Sequence, residues 1–429
     1  MPSIALGRRP DQVLALAALL LAAATGLLIV YSPLLAALAV IALCAGVVVA
    51  RFGVIAIAMP SLALLPWLVL VEGVAPRMLG TFTTAVAAGA LLALSMPLQF
   101  KSRLVPVSAI AFAIPVLAHA LFATDSDQLI VASKYLIFPA MAVAVSSVNA
   151  VETLSRLRRP VLVSCLIAMG AHIVVISLGL GKVDTYYEVG ERLGFAADIP
   201  HALALLGMVV AGAGLTMRSV HQQIALFAAG AIPALMTAVR SALLGFAVMI
   251  LVFLWRSNLR ARTVAIFAAI VLVAAVSGAT DVVTNRLDSQ AGEFDTFSSA
   301  GSDRGLIWTV ALNGWMDAGL GAWIWGAGLR AAVEFEIAAL AVALVGHSDV
   351  VEILVQLGVV GLVAWATLWV GLLRSGLSPI IVLPMIAFGI VNGSLEYLPS
   401  LALGLFLAAA CGDRVRDHVP RSSPSGASI

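Results

Sequence analysis

The feature that most constrains this chain is a succession of apolar runs, each close to 20 residues and separated by short polar clusters. A run of that length matches the roughly 30 Å of hydrocarbon that a helix rising 1.5 Å per residue has to cross. Such runs lie near 12–31, 33–50, 52–71, 79–98, 104–123, 128–148 and 161–180, then 200–216, 224–239, 241–255 and 263–279, and finally 350–372, 378–392 and 400–412. The expected fold is all-α: a polytopic transmembrane helical bundle of about 14 spans. Composition excludes the soluble alternative. Hydrophobic residues make up 62% of the chain and charged residues 11%, which leaves too little polar surface to cover a water-soluble globule of 429 residues. The first run follows Arg8 and Arg9 and is long enough to span, so it reads as a retained helix rather than a cleaved signal.

The placement of the charges sets an orientation. Taking the N-terminus as cytoplasmic, one side collects Arg8, Arg9, Arg51, Lys101, Arg103, Arg156, Arg158, Arg159 and Arg218. The same side takes Arg256, Arg260, Arg262, Arg374, Arg414, Arg416 and Arg421, which makes 16 of the 24 basic residues. Such a bias marks the cytoplasmic face, with both termini inside. Residues 1–412 read as one transmembrane domain with a large external loop at about 280–349, and 413–429 as a disordered cytoplasmic tail. In that loop Ile307, Trp308, Ala311, Leu312, Trp315 and Met316 recur at helical spacing, which predicts an amphipathic helix in the membrane interface. Trp308, Trp315, Trp323 and Trp325 fit an aromatic belt.

The basic residues stranded on the external side are Arg77, Lys134, Lys182, Arg192, Arg240, Arg286, Arg304 and Arg330. Arg240, in TAVRSALLGF, stands at a hinge between two apolar runs, where a guanidinium facing lipid costs about 2.5–3.5 kcal/mol. It has to snorkel, find a carboxylate or face a polar cavity, and anion binding is the favoured reading. Arg192 can pair locally with Glu188 or Glu191, and Arg304 with Asp303. Arg304 also opens the predicted amphipathic helix, where a cation opposes the helix dipole and calls for an external partner. Lys134, some six residues into its run, can snorkel to the interface. His347 is the histidine in the most chemical setting, at the entrance to a span in HSDVVEILVQLGVVGL. Asp349 and Glu352 match a capping box, so a helix is expected to start there. Its free N–H groups favour an anion, and an imidazole beside them can take a proton from a hydroxyl near neutral pH.

Cys44, Cys165 and Cys411 show neither disulfide nor metal-ligand spacing and read as packing residues. There is no P-loop, Rossmann fingerprint, HExxH or GxSxG, so nothing in the sequence supports a nucleotide, a zinc ion or another cofactor, and nucleic acid is not an expected partner.

Four stretches, taken in order, resemble the O-antigen ligase and O-antigen polymerase superfamily of bacterial membrane glycosyltransferases. ERLGFAADIPHALA is similar to its Arg-x-x-Gly segment and following helix start, with His201 where Asn is usual. TAVRSALLGF is similar to its Ser-Arg-x-x-x-Leu segment, with Val239 for Ser. DRGLIWTVALNGWMDAGLGAWIWGAGL resembles its Arg-x-x-x-Trp helix and Gly-x-Gly. HSDVVEILVQLGVVGL resembles its His-Asn helix, keeping His347, Gly358 and Gly361, with Ser348 for Asn and Gln356 where Glu is frequent.

The resemblance implies a metal-independent transfer at the periplasmic face of the bacterial inner membrane, from a glycan on undecaprenyl pyrophosphate. Arg192, Arg240 and Arg304 would hold the pyrophosphate, with Arg240 also stabilising the charge that develops as it leaves. His347 would orient or deprotonate the acceptor hydroxyl. The acceptor would be the next lipid-linked repeat unit in a polymerase, or lipid A-core or a protein side chain in a ligase or its relatives; about 14 spans favours the polymerase. The rival class is a transporter or flippase for a charged lipid or solute, which Pro60, Pro115, Pro139 and Pro233 inside the runs would suit. Against it, no repeat relates the two halves and the arginines lie at the interface.

Overall fold

The computed structural model describes residues 53–70, 77–177, 183–184, 192–193, 200–237, 239–256, 304–340 and 348–412. Among the described residues the elements are helices, apart from an isolated bridge between Phe100 and Ser147 and one antiparallel pairing of two dipeptides, β1 (Val183–Asp184) and β2 (Arg192–Leu193). The helices are α1 (Ile55–Leu70), α2 (Arg77–Leu94), α3 (Leu104–Ala120), α4 (Ser126–Ser146), α5 (Ala150–Ser177), α6 (Pro200–Leu215), α7 (Val220–Met236) and α8 (Arg240–Arg256). They continue as α9 (Arg304–Asp317), α10 (Leu320–Trp325), α11 (Ala331–Leu340), α12 (Asp349–Arg374), α13 (Pro379–Asn392) and, after a 3-10 turn at Leu395–Tyr397, α14 (Leu398–Ala410).

The burial pattern is that of a bundle in lipid. On α3 the side chains of Val107, Ile110, Ile114 and Leu117 stand exposed along one stripe, while Val105, Phe112 and Val116 on the opposite face are buried. An apolar stripe left outside is costly in water and neutral against acyl chains. The interior is packed with small residues: Gly207 of α6 meets the carbonyl of Gly230 on α7, and Gly214 meets Leu226 and Phe227. Close backbone approach of this kind is how helices associate where lipid removes the hydrophobic driving force. α14 is the central post. All of its residues are buried, and it touches α1, α2, α4, α5, α6 and α13.

The span count is corrected. Among the described residues three helices are long and apolar enough to cross a bilayer, α4, α5 and α12, or four if the bent pair α13–α14 counts as one. α1, α2, α3, α6 and α7 are apolar but end after 16 to 18 residues. Hydropathy reads the length of an apolar stretch, whereas turn residues and glycines decide how much of it is continuous helix. The runs near 12–31, 33–50 and 263–279 lie outside the described residues.

The ends of the bundle differ in charge. Gly371 of α12 packs on Leu104 and Val105 of α3, which brings Arg374 and Arg103 to one end. The Val148 N–H donates to the Gln99 carbonyl (2.7 Å), joining Lys101 to the start of α5 with its Arg156, Arg158 and Arg159. The Ser378 N–H donates to Ala408 (2.8 Å), so both legs of α13–α14, which meet at 117°, begin and finish at this basic end.

Candidate functional site

Several helix starts converge at the opposite end. Gly245 of α8 backs onto Met208 of α6 and the Pro384 carbonyl of α13, and Gly212 of α6 touches Met249 and Ile381. This register puts Arg240, the first residue of α8, at the depth of Gly389, near the end of α13. Gly389 in turn contacts the Asp349 carboxylate at the start of α12. At the same depth His201, in the first turn of α6, stacks on Tyr397 with 6.0 Å between ring centroids.

The start of α12 is fastened to the break between α13 and α14. Ser348 is the N-cap: its hydroxyl accepts from the Val351 N–H at 3.4 Å and donates to the Ile390 carbonyl at 2.7 Å. Asp349 accepts from the Ser394 hydroxyl (2.5 Å) and the Leu395 N–H (3.0 Å). The expected helix start is present but the expected capping box is not, because Asp349 turns to another helix and Ser348 caps instead.

α12 is not one straight rod. Gly358 is non-helical (φ 68°, ψ −170°) and divides it into 349–357 and 359–374. The second half runs antiparallel to α3 and rises about 24 Å from the basic end, while the 14 residues of α13 rise about 21 Å to the break where Asp349 docks. The half-helix 349–357 runs from the break that holds Asp349 to Gly358, which packs on Ile324 and Gly326. α9, α10 and α11 pack around it. Val351 and Val355 join Ala311, Ala331 and Ala332 in a small second core flanked by Trp308, Leu312, Trp315 and Phe335.

The expected helix in the external loop is thus present as α9, with Ile307 and Ala311 buried as the spacing predicted. Its amphipathic contrast is weak, since Leu306 and Met316 stand on the exposed side. Of the four tryptophans, Trp323 and Trp325 are exposed, and the Trp315 and Trp323 indoles donate to the carbonyls of Ala322 and Met316 (2.9 Å each).

Arg240 is half-buried and opens α8. Arg304 is the first residue of α9, and Arg192 stands in β2 opposite Asp184; the side chains of both lie outside the described set. His347 lies outside the described residues, directly before the N-cap Ser348. Lys182 and Arg286 also fall outside, and Arg77 is described in its backbone alone.

The remaining cations of the expected external set are tied to carboxylates. The Lys134 ammonium lies 2.8 Å from Glu396 in the 3-10 turn. Arg330 pairs with Asp127 at 2.8 Å, and its backbone N–H donates to the Gln356 side chain (3.0 Å). His119 Nε2 lies 2.9 Å from the Trp325 carbonyl. Cys165 and Cys411 are buried.

A buried acidic cluster beside the start of α12 escaped the sequence reading. The charged neighbours of Glu352 are Glu396, Asp349, Lys134 and Glu336. Glu336, on α11 and outside the spanning helices, is fully buried, and burial pushes its carboxyl up to about 8. Its signal in the sequence was faint: two glutamates in an otherwise apolar stretch, VEFEIAAL. No group of His, Cys, Asp and Glu suited to a metal ion occurs among the described residues.

No curated protein matches the chain. The O-antigen ligase family matches residues 224–366, a range from α7 into α12 that includes Arg240, Arg304 and His347 and leaves out Arg192. Three of the four stretches that resembled the superfamily fall inside that range, and the chain carries a domain of the O-antigen ligase family.

Proposed function

We propose that the protein is a bacterial inner-membrane glycosyltransferase that takes a glycan from undecaprenyl pyrophosphate at the periplasmic face. The observation that carries this reading is the shared depth of Arg240 and the start of α12, which follows His347 directly, both within the family range. The bundle's basic end faces the cytoplasm in this reading, so the converging helix starts face out. Helix N-termini and guanidinium groups favour a diphosphate, and low dielectric strengthens that attraction. The acceptor hydroxyl attacks the anomeric carbon, the bond to the diphosphate oxygen breaks, and undecaprenyl pyrophosphate leaves with the electron pair. Arg240, Arg192 and Arg304 stabilise the developing charge, and His347 takes the hydroxyl proton.

The acceptor proposed is the next lipid-linked repeat unit. Ligation to lipid A-core is the second reading, favoured by the ligase description of the matched family. The test is purified protein in liposomes given lipid-linked glycan, with or without lipid A-core. Product should need no added metal. Arg240→Ala should lower the rate roughly 10²–10³-fold and His347→Ala roughly 10²–10⁴-fold. Ladders without lipid A-core indicate polymerisation, and single transfer to it indicates ligation. Wild-type rates in both variants, or glycan movement without a new glycosidic bond, would sink the reading.

A further inference from the structure

Three polar groups around the start of α12 are buried and have no hydrogen-bond partner. They are the Tyr135 hydroxyl on α4, both carboxyl oxygens of Glu336 on α11, and one oxygen of Glu352 on α12. These side chains are at most 5% exposed. The electrostatic neighbours of Tyr135 are Glu352, Glu396 and Asp349, so the phenol points into the acidic cluster yet donates to none of its members. Asp349 is already satisfied by Ser394 and Leu395, and Glu396 by Lys134.

Unsatisfied buried polar groups are rare, because each forfeits its hydration. Glu352 stands between the other two, a neighbour of Tyr135 on one side and of Glu336 on the other, and such unmatched groups mark a site for something that supplies both donors and acceptors. A hydroxyl group does both. The surplus of carboxyl oxygens disfavours a phosphate, and no metal-binding group is present among the described residues.

We propose that Tyr135, Glu336 and Glu352 form a hydroxyl-binding subsite for the sugar of the acceptor, a role that rests on the glycosyl-transfer reading above. The subsite lies beside the α12 start, so a sugar seated there presents a neighbouring hydroxyl towards the diphosphate. Tyr135 lies outside the family range, so α4 supplies acceptor selectivity to a reaction centre built mostly by residues 224–366.

The test measures acceptor KM, donor KM, kcat and thermal midpoint for the wild type, Tyr135→Phe, Glu352→Gln and Glu352→Ala in the liposome assay. Tyr135→Phe removes only an unpartnered hydroxyl, so its midpoint should hold or rise while acceptor KM increases roughly 5–50-fold, the worth of one or two hydrogen bonds. Donor KM should stay put. Glu352→Gln keeps an acceptor oxygen and should recover part of what Glu352→Ala loses. An unchanged acceptor KM in Tyr135→Phe overturns the subsite, as does a fall in kcat alone that is equal in Glu352→Gln and Glu352→Ala, which indicates proton handling. A wild-type protein that makes no product refutes the transfer reading and the subsite with it. Normal wild-type turnover with indifferent variants refutes only the subsite.

Discussion

Gly326 and Gly358 meet backbone to backbone: a methyl group on Gly326 would strike the Gln356 carbonyl, and one on Gly358 would strike the Ile324 carbonyl. Both also adopt backbone angles that only glycine takes readily, φ 93° with ψ 161° and φ 68° with ψ −170°. The contact joins the loop after α10 to the bend of α12, and the Ala327 N–H reinforces it by donating to the Val355 carbonyl at 2.8 Å. Gly358→Ala should therefore cost roughly 2–3 kcal/mol or more. Denaturation in detergent would show a clear fall in midpoint, and a midpoint equal to wild type would mean that the contact does not hold the fold.

The Lys134–Glu396 pair ties α4 to the break between α13 and α14, with side chains 16% and 28% exposed. Lys134→Met should cost about 1–3 kcal/mol by stranding Glu396 among Asp349 and Glu352, less than the 3–5 of a fully buried pair. Adding Glu396→Gln should return part of that loss. A double-mutant cycle reads the coupling, and strictly additive losses would refute it.

Glu336 predicts a pH dependence with a definite sign. Its folded-state value of about 8 lies above the 4.5 of an ordinary glutamate. The unfolded chain gives up this proton first as pH rises, so stability falls between about pH 4.5 and 8 and levels off above. Glu336→Gln should flatten that part of the curve and raise the midpoint at pH 8. Parallel wild-type and variant curves across the range would contradict the assignment.

Arg240→Lys keeps the charge at the start of α8 and removes the planar fork. If the guanidinium grips a diphosphate through two parallel bonds, transfer should fall roughly 10-fold or more, with the fold intact. A lysine variant as fast as wild type would show that a point charge suffices.

The sequence disclosed the bundle because lipid imposes uniform apolarity, and burial follows it stripe by stripe on α3. It disclosed Ile307 and Ala311 because helical spacing fixes which residues share a face. The span count failed for a physical reason: α1, α2, α3, α6 and α7 stop as continuous helices after 16 to 18 residues, and hydropathy carries no record of where a helix breaks. The partner of Lys134 was not legible because it lies 262 residues away, beyond any local pattern. Tyr135, Glu336 and Glu352 were invisible as a group for the same reason, since three separate helices bring them together.

The central position of α14 has a consequence for biogenesis. Thirteen residues that touch six other helices leave the ribosome after all of those neighbours. Until Leu398–Ala410 arrives, the earlier helices surround a gap the width of one helix, and the Ser394 and Leu395 groups that anchor Asp349 are missing. The bundle therefore closes only as the α13–α14 hairpin slots into the middle, and a chain cut short before Ser394 leaves Asp349 without its anchor.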